Sequence, residues 1–164
     1  MPFRTIFRLS LVLLSCLLWR GAAVAEDCPA LSMGQNVYVP AYSHIYHGNR
    51  EARLLLSVTL SLRNVDTRHA ITITTIDYFN TEGKLLKRFL DRPLILPPLS
   101  SHRYVIAQDD EAGGSGANFL VAWQAAAPTN PPIFESVMIG SQSQLGISFT
   151  SRGQVLHGQA GRQP

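Results

Sequence analysis

The stretch RLLLSVTLSLRN, from Arg53 to Asn64, decides the fold class. Leucine or valine occupies every second position from Leu54 to Leu62, and Leu55 is the one apolar residue among the polar positions between them. Successive side chains of a strand point to opposite faces, so an apolar residue at every second position gives one apolar face. The pattern therefore predicts a β-strand with one buried face.

The next segment, AITITTIDYFN, continues as a strand whose alternation changes phase. Ile71 and Ile73 share one phase, whereas Ile76 and Tyr78 share the other. An extra residue within the intervening TT pair would reset the alternation, so a β-bulge is predicted there. NTEGK then predicts a type I turn with Gly83 in the left-handed conformation, and KLLKRFL predicts the returning strand of a hairpin.

Further strands are predicted in SHRYVIAQ, NFLVAWQA, IFESVMIGS and GISFTSR, with turn signals about every ten residues. The prolines of DRPLILPPL cannot donate ladder hydrogen bonds, so this stretch predicts a sheet edge or an extended crossover between sheets. No segment after the amino terminus shows helical periodicity. We therefore expect an all-β protein, an immunoglobulin-like antiparallel β-sandwich of about seven to eight strands preceded by a signal peptide. A jelly roll or a small barrel is the alternative.

Residues 1–25 have the organisation of a secretory signal peptide. Arg4 and Arg8 precede the apolar run LSLVLLSCLLW, and Ala23 and Ala25 supply the small residues of a cleavage site. The apolar run is too short to cross a bilayer core of about 30 Å as a helix. We expect a periplasmic or secreted protein with no transmembrane segment after cleavage. Lipoprotein processing at Cys16 is the alternative.

The mature chain is expected to be neutral and to form one domain. Cleavage removes three of the 14 basic residues and none of the 11 acidic ones, so no basic patch remains to suggest nucleic acid as a partner. Residues 34–153 are predicted to form a single β-sandwich domain, and residues 154–164 a disordered tail. Cys28 would be the only cysteine left, so no internal disulfide can form.

The stretch YVPAYSHIYHG, from Tyr38 to Gly48, holds three tyrosines and two histidines. His44 and His47 have the H-x-x-H spacing that places two metal ligands on one face of a helix. In a strand the same spacing points the two rings to opposite faces, so they converge only if a turn forms there. A metal site is therefore the alternative to partly exposed side chains at a sheet edge.

A predicted loop, DDEAGGSGA, carries the acidic residues Asp109, Asp110 and Glu111. Calcium prefers oxygen ligands on flexible turns, but the spacing matches no EF-hand, and adjacent acids in a loop are commonly solvated. GGSGA approaches the nucleophile elbow G-x-S-x-G, yet Ala117 replaces the last glycine, and a strand follows where the elbow requires a helix. We therefore predict no catalytic residue, no enzymatic activity and no cofactor.

Three connections of the predicted sandwich should lie at one end. Successive antiparallel strands reverse direction, so alternate connections share an end. These are the turn from His47 to Arg50, the TEG hairpin and the DDEAGGSGA loop. Loops held by a rigid scaffold commonly form binding sites. The predicted binding residues are Tyr42, His44, Tyr46, His47, Asp109, Asp110 and Glu111.

Four blocks of the sequence resemble one family of exported bacterial proteins, the domain of unknown function three-one-two-four. They are GQNVYVPAYSHIYHG, LSLRNVDTRHAITITTIDYFNTEGKLL, GGSGANFLVAW and NPPIFESVMIGSQSQLGISFTSRG. The resemblance covers Gly34 to about Gly153, and it implies a bacterial envelope protein without implying an activity.

Together these observations predict a non-catalytic binding or interaction domain of the bacterial cell envelope, whose partner is an envelope protein or a cell-wall component. The alternative is a metal-binding protein that uses His44, His47 and the acidic loop.

Sequencing the amino terminus of the exported protein tests the location. We expect it to follow Ala25, because Ala23 and Ala25 fit the small-residue pocket of signal peptidase. A lipidated Cys16 or an uncleaved Met1 at the amino terminus would contradict this prediction.

Overall fold

The computed structural model describes residues 30–142 and 145–156. The predicted signal peptide, Cys16, Cys28 and residues 157–164 lie outside the described residues. The described chain forms twelve strands and no helix, and so contains no helix long and apolar enough to cross a membrane. In chain order the strands are β1 (Ser32–Pro40), β2 (His44–His47), β3 (Ala52–Leu55), β4 (Ser57–Arg63), β5 (Ile71–Phe79), β6 (Leu85–Arg88), β7 (Leu94–Leu96), β8 (Ser101–Ile106), β9 (Asn118–Thr129), β10 (Ile133–Gln142), β11 (Leu145–Arg152) and β12 (Gln154–Val155).

Two larger sheets and one hairpin account for these strands. The six-stranded sheet has the order β12-β1-β9-β5-β6, with β7 also paired to β5. The four-stranded sheet has the order β11-β10-β4-β8, and β2 and β3 form a separate two-stranded sheet. Every pair is antiparallel. The predicted all-β antiparallel sandwich is confirmed, with more strands than expected because β2, β3, β7 and β12 are short separate pieces.

The alternating stretch that begins at Arg53 behaves as its pattern predicts. Leu56, Val58, Leu60 and Leu62 are fully buried at 0% exposure, whereas Thr59 is only half-buried on the opposite face. Together with apolar side chains of β1, β5, β9 and β10, these residues form the core between the two larger sheets. The strand is interrupted once, because Leu56 separates β3 from β4.

The predicted β-bulge in β5 is confirmed. The register of β5 against β9 shifts between Ile73 and Thr75. Because of this shift, the core contains both the isoleucines before the bulge and the residues Ile76 and Tyr78 after it. The predicted turn is also present, with Gly83 at φ 76°. After β6, the proline-flanked β7 pairs at the edge of the first sheet, and the chain then crosses to the second sheet as β8.

The domain continues past the predicted boundary at Gly153. Gln154 and Val155 form β12, which pairs with Tyr38 and Val37 of β1. The backbone amide of Gly153 donates to the Phe134 carbonyl at 2.8 Å, which fixes the chain where it passes between the sheets. Residues 154 and 155 therefore belong to the sandwich and not to the tail.

One end of the sandwich, here called the Asp66 end, is organised by a buried carboxylate between β4 and β5. Asp66 is 4% exposed, and its Oδ1 accepts hydrogen bonds from the backbone amides of Arg68 and His69 at 2.8 and 2.7 Å. Its Oδ2 accepts from the backbone and side-chain amides of Asn130 at 3.1 and 3.0 Å. The bonds from Asn130, Arg68 and His69 hold the pKa of Asp66 well below its usual value of 3.8.

A buried amide completes this end. Asn64 is 2% exposed, and its Nδ2 donates to the carbonyls of His69, Leu96 and Pro97 at 2.9 to 3.0 Å. Its Oδ1 accepts from the Asp66 amide at 3.0 Å. Asn64 and Asp66 thus connect the loop after β4 with the segment after β7 and the turn after β9.

The Asp66→Asn variant tests this arrangement through its pH dependence. The folded pKa lies below the unfolded one, so ionised Asp66 stabilises the fold above about pH 4, and this contribution is lost as the pH falls further. Urea titrations from about pH 7 to about pH 2.5 should show the variant less stable at neutral pH, with the difference narrowing in acid.

Asp91→Asn is the matched control, because Asp91 is exposed and has no hydrogen bond or ion pair within residues 30–142 and 145–156. It should change the unfolding free energy little at any pH. A stability difference for Asp66→Asn that stays constant down to about pH 2.5 would contradict the assigned role.

Candidate binding surface

The three connections predicted to share an end do meet, opposite the Asp66 end, and we call this the loop end. It comprises the segment 41–56, the turn 80–84 and the loop 107–117. The backbone amides of Ala41 and Ser43 donate to the carbonyls of Ala117 and Gly114 at 2.8 and 2.9 Å. The amide of Thr81 donates to the Gly113 carbonyl at 3.0 Å. The loop 107–117 therefore lies between the other two connections and bonds to both.

Gly113 is buried where these connections converge. A Cβ added at this position would overlap the hydroxyl of Tyr78 and lie 2.7 Å from Ser43 Oγ and 2.8 Å from Ala117 Cβ. Ser43 Oγ and the Tyr78 hydroxyl are themselves 3.2 Å apart and hydrogen-bonded. Only glycine fits this approach without displacing a neighbour.

Tyr78 is held in place from the core side. Its ring is 1% exposed and packs against Phe119 with centroids 4.8 Å apart. Burial raises the pKa of the Tyr78 hydroxyl, the hydrogen bond shared with Ser43 opposes that rise, and the charge of Asp110 adds to it. The hydroxyl is therefore protonated at neutral pH and serves as a structural hydrogen-bonding group.

Thr81 binds the turn of the β5–β6 hairpin to the same loop. Its Oγ1 donates to the Gly113 carbonyl at 3.1 Å and accepts from the Gly116 amide at 3.0 Å. Asn80 closes the turn, since its Oδ1 accepts from the amides of Glu82 and Lys84 at 3.2 and 2.8 Å. These bonds fix the turn relative to the loop.

The β2–β3 hairpin extends outward from these hydrogen-bonded connections. Its register pairs His44 with Leu55 and His47 with Ala52, and the Leu56 amide closes its base by donating to the Ser43 carbonyl at 2.9 Å. At its tip, Gly48 and Glu51 have positive φ angles of 69° and 51°. The hairpin therefore carries the exposed residues 46–53 on an anchored base.

The four aromatic and imidazole residues predicted for the surface separate into two kinds. Tyr42 is half-buried, and its ring centroid lies 5.8 Å from that of Phe149. His44 is 6% exposed, and its Nε2 lies 3.3 Å from the Tyr46 hydroxyl. Tyr46 is 54% exposed, and His47 is also exposed. The first two support the hairpin, and the last two face outward.

The three acidic residues are all exposed but take different roles. Asp110 Oδ1 accepts from the Ala112 amide at 3.1 Å and so shapes the loop. Glu111 pairs with Arg53 at 3.0 Å, with side chains that are 46% and 57% exposed. Asp109 has no hydrogen bond or ion pair with another of the residues that the structure describes. The Arg53–Glu111 pair joins the hairpin to the acidic loop.

The structure gives no support to the metal hypothesis. Within residues 30–142 and 145–156, no three His, Cys, Asp or Glu side chains come close enough together to hold a metal ion. His44 is buried, whereas His47 lies exposed at the other end of the same four-residue strand. The predicted binding residues are thus brought to one end, but not into one ligand cluster.

A groove of about 410 Å³ lies beside the acidic loop, between the edge strands β6 and β8. Asp110 and Lys87 line it together with Leu86 and Val105. Leu86 and Val105 are 36% and 56% exposed, so the groove has apolar walls and one charge of each sign. It extends the loop end onto the open side of the sandwich.

The sequence reasoning missed the residues that assemble this end, namely Ser43, Arg53, Tyr78, Thr81 and Gly113. The alternation predicts Tyr78 on the same face as Ile76, and the turn signals predict Gly113 within the loop DDEAGGSGA, without a contact between the two. The one local signal was the cluster of three glycines in GGSG, because a close backbone approach requires glycine.

One comparison with known proteins, the scan against family models, agrees with the resemblance found in the sequence. A family model described as Protein of unknown function (DUF3124) matches residues 34–156. The comparison with curated proteins finds no match. A solved structure described as the crystal structure of Thermotoga maritima 1070 is 10% identical, over 76% of this chain and 97% of that chain, with a TM-score of 0.44.

Substitution of Gly113 tests the convergence of the loops. Gly113→Ala should destabilise the fold by about 1 to 3 kcal/mol, because the new methyl group overlaps the fixed Tyr78 hydroxyl. Gly146→Ala is the control, since a Cβ added at Gly146 would have no atom of the described residues within 4 Å. Chemical denaturation measures both variants. Equal stability of the two would show that the loop accommodates a side chain and does not depend on this contact.

Proposed function

The chain belongs to the family described as Protein of unknown function (DUF3124), and we propose that it is an exported, non-catalytic binding domain of the bacterial cell envelope. Its binding surface is the loop end. The observation that carries this proposal is the convergence of three sequence-distant connections on Gly113, Tyr78 and Ser43. The predicted signal peptide supports export.

The base of the loop end supports binding because it is ordered before any partner arrives. The hydrogen bonds of Ser43, Thr81 and Gly113 fix the three connections against the core. A preorganised surface loses less conformational entropy on association. Loops on a rigid sandwich are a common way to present a recognition surface.

The exposed side of the loop end favours a protein partner. The β2–β3 hairpin projects Tyr46 and His47 outward, whereas small-molecule sites are usually concave. Tyrosine is enriched at the centres of protein interfaces. The exposed Arg53–Glu111 pair next to it would orient a partner more than strengthen its binding. We therefore favour an envelope protein over a cell-wall polymer.

Site-specific photocrosslinking tests the proposal in cells that produce the full-length protein. A benzophenone amino acid in place of Tyr46 should give a light-dependent adduct of one defined mass. The matched control carries the same group in place of Thr67, which is also exposed but lies at the Asp66 end. The adduct should be absent from the control and reduced when Arg53 is changed to alanine.

Adducts of the same mass and yield from both positions would show unspecific contact and contradict the proposal. An adduct from position 67 alone would show that the binding surface lies at the Asp66 end and would contradict the proposal. Fractionation of the same cells reports export separately, so a failure of localisation is distinguishable from a failure of binding.

A further inference from the structure

The outer face of the four-stranded sheet carries two arginines on neighbouring strands. β4 and β8 pair so that Arg63 lies opposite Ser101 and Arg103 lies opposite Ser61. The two arginines are therefore diagonal neighbours on one face, a relation that places them roughly 7 to 8 Å apart at the backbone. Side chains of this length can direct both guanidinium groups at one ligand. Like charges so placed repel each other until an anion lies between them.

The surrounding carboxylates balance only one of these two charges. Arg63 Nε donates to Ser61 Oγ at 3.1 Å and lies 3.5 Å from Glu135 Oε1. Glu135 faces the same side, since it pairs with Ser61 across β10 and β4. Arg103 is exposed, and no ion pair is described for it in the part of the chain that the structure covers. The pair of arginines thus keeps a net positive charge beside Glu135.

A depression of about 570 Å³ lies over these arginines. The hydroxyl groups of Thr59, Ser61 and Ser101 line it, and Val105 and Val137 provide apolar surface. Hydroxyl groups can donate and accept hydrogen bonds, and an arginine fork matches the geometry of a carboxylate or phosphate. The lining can therefore bind an anionic group through the arginines and the hydroxyl groups of the same ligand through the serine and threonine side chains.

We propose that this depression is a second binding site, distinct from the loop end, for an oxyanion carried on a hydroxyl-bearing molecule. The oxyanion is a carboxylate or a phosphate, as in an acidic sugar or a polyol phosphate. Arg103 supplies the unmatched charge, Arg63 supplies the second guanidinium group, and the serine and threonine hydroxyls bind the polar body.

Calorimetric titration of the mature full-length chain tests this site with two charged probes and their neutral counterparts. Glucuronate is compared with glucose, and glycerol 1-phosphate with glycerol. At least one charged probe should bind, with an affinity that falls as salt is added, and the neutral counterparts should not bind. The charged probe that binds more tightly identifies the source of the oxyanion.

Arg103→Gln should weaken binding of the charged probe by about tenfold or more, because it removes the unmatched charge from the depression. Arg152→Gln is the matched control. Arg152 lies in the same cross-strand row, on the far side of Glu135, and outside the depression. It should leave the affinity unchanged. Thermal unfolding of both variants verifies that they fold as the wild type does.

Equal loss of affinity in the two variants would overturn the proposal, because it would show general electrostatic attraction to the protein surface. Failure of both charged probes to bind the wild type at about 50 mM would also overturn it, since a site of this chemistry should reach millimolar affinity. Arg103→Lys should bind more weakly than the wild type, because lysine keeps the charge but loses the planar fork.

Discussion

The packing of Gly113 against the hydroxyl of Tyr78 is the contact on which the loop end depends. Tyr78 cannot move away, because its ring is buried against Phe119. The loop therefore has to approach the tyrosine by backbone alone, and the approach brings the carbonyls of Gly113 and Gly114 to the amides of Thr81 and Ser43. A steric requirement at one residue thus sets the hydrogen bonds that join three connections. The position of the exposed β2–β3 hairpin therefore depends on this contact.

The two ends of the sandwich hold their connecting loops together by different interactions. At the loop end, neutral groups meet through a close steric approach around Gly113. At the Asp66 end, a buried carboxylate accepts four hydrogen bonds from three residues, and their donors keep it ionised. The contact of Gly113 with Tyr78 involves no charged group, whereas the hydrogen bonds accepted by Asp66 weaken in acid. Protonation of Asp66 in acid therefore lowers the free energy of unfolding of the sandwich, whereas the Gly113 contact makes no such contribution.

Local patterns predicted most of the fold, because burial alternates with a period that the sequence displays. The phase of Leu60, the bulge after Ile73 and the turn at Gly83 were all readable in this way, and strand parity then predicted that the loops share an end. The missed features depend on partners distant in sequence. Arg53 pairs with Glu111, 58 residues away, and Asp66 binds Asn130, 64 residues away. The alternation of apolar and polar residues does not predict such contacts. For this reason neither the role of Asp66 nor the different burial of His44 and His47 could be predicted from the sequence.

The burial of His44 changes what the tyrosine- and histidine-rich stretch can do. Its Nε2 faces the Tyr46 hydroxyl, and the rings meet edge to face at 5.2 Å, so His44 orients Tyr46 on the exposed side of the hairpin. A buried histidine in this role supports the exposed side chain of Tyr46. The stretch is therefore organised as a scaffold that presents Tyr46 and His47, with Arg53 and Glu111 beside them. Of the two histidines first considered as metal ligands, His44 therefore positions one aromatic side chain, whereas His47 is exposed at the end of the same strand.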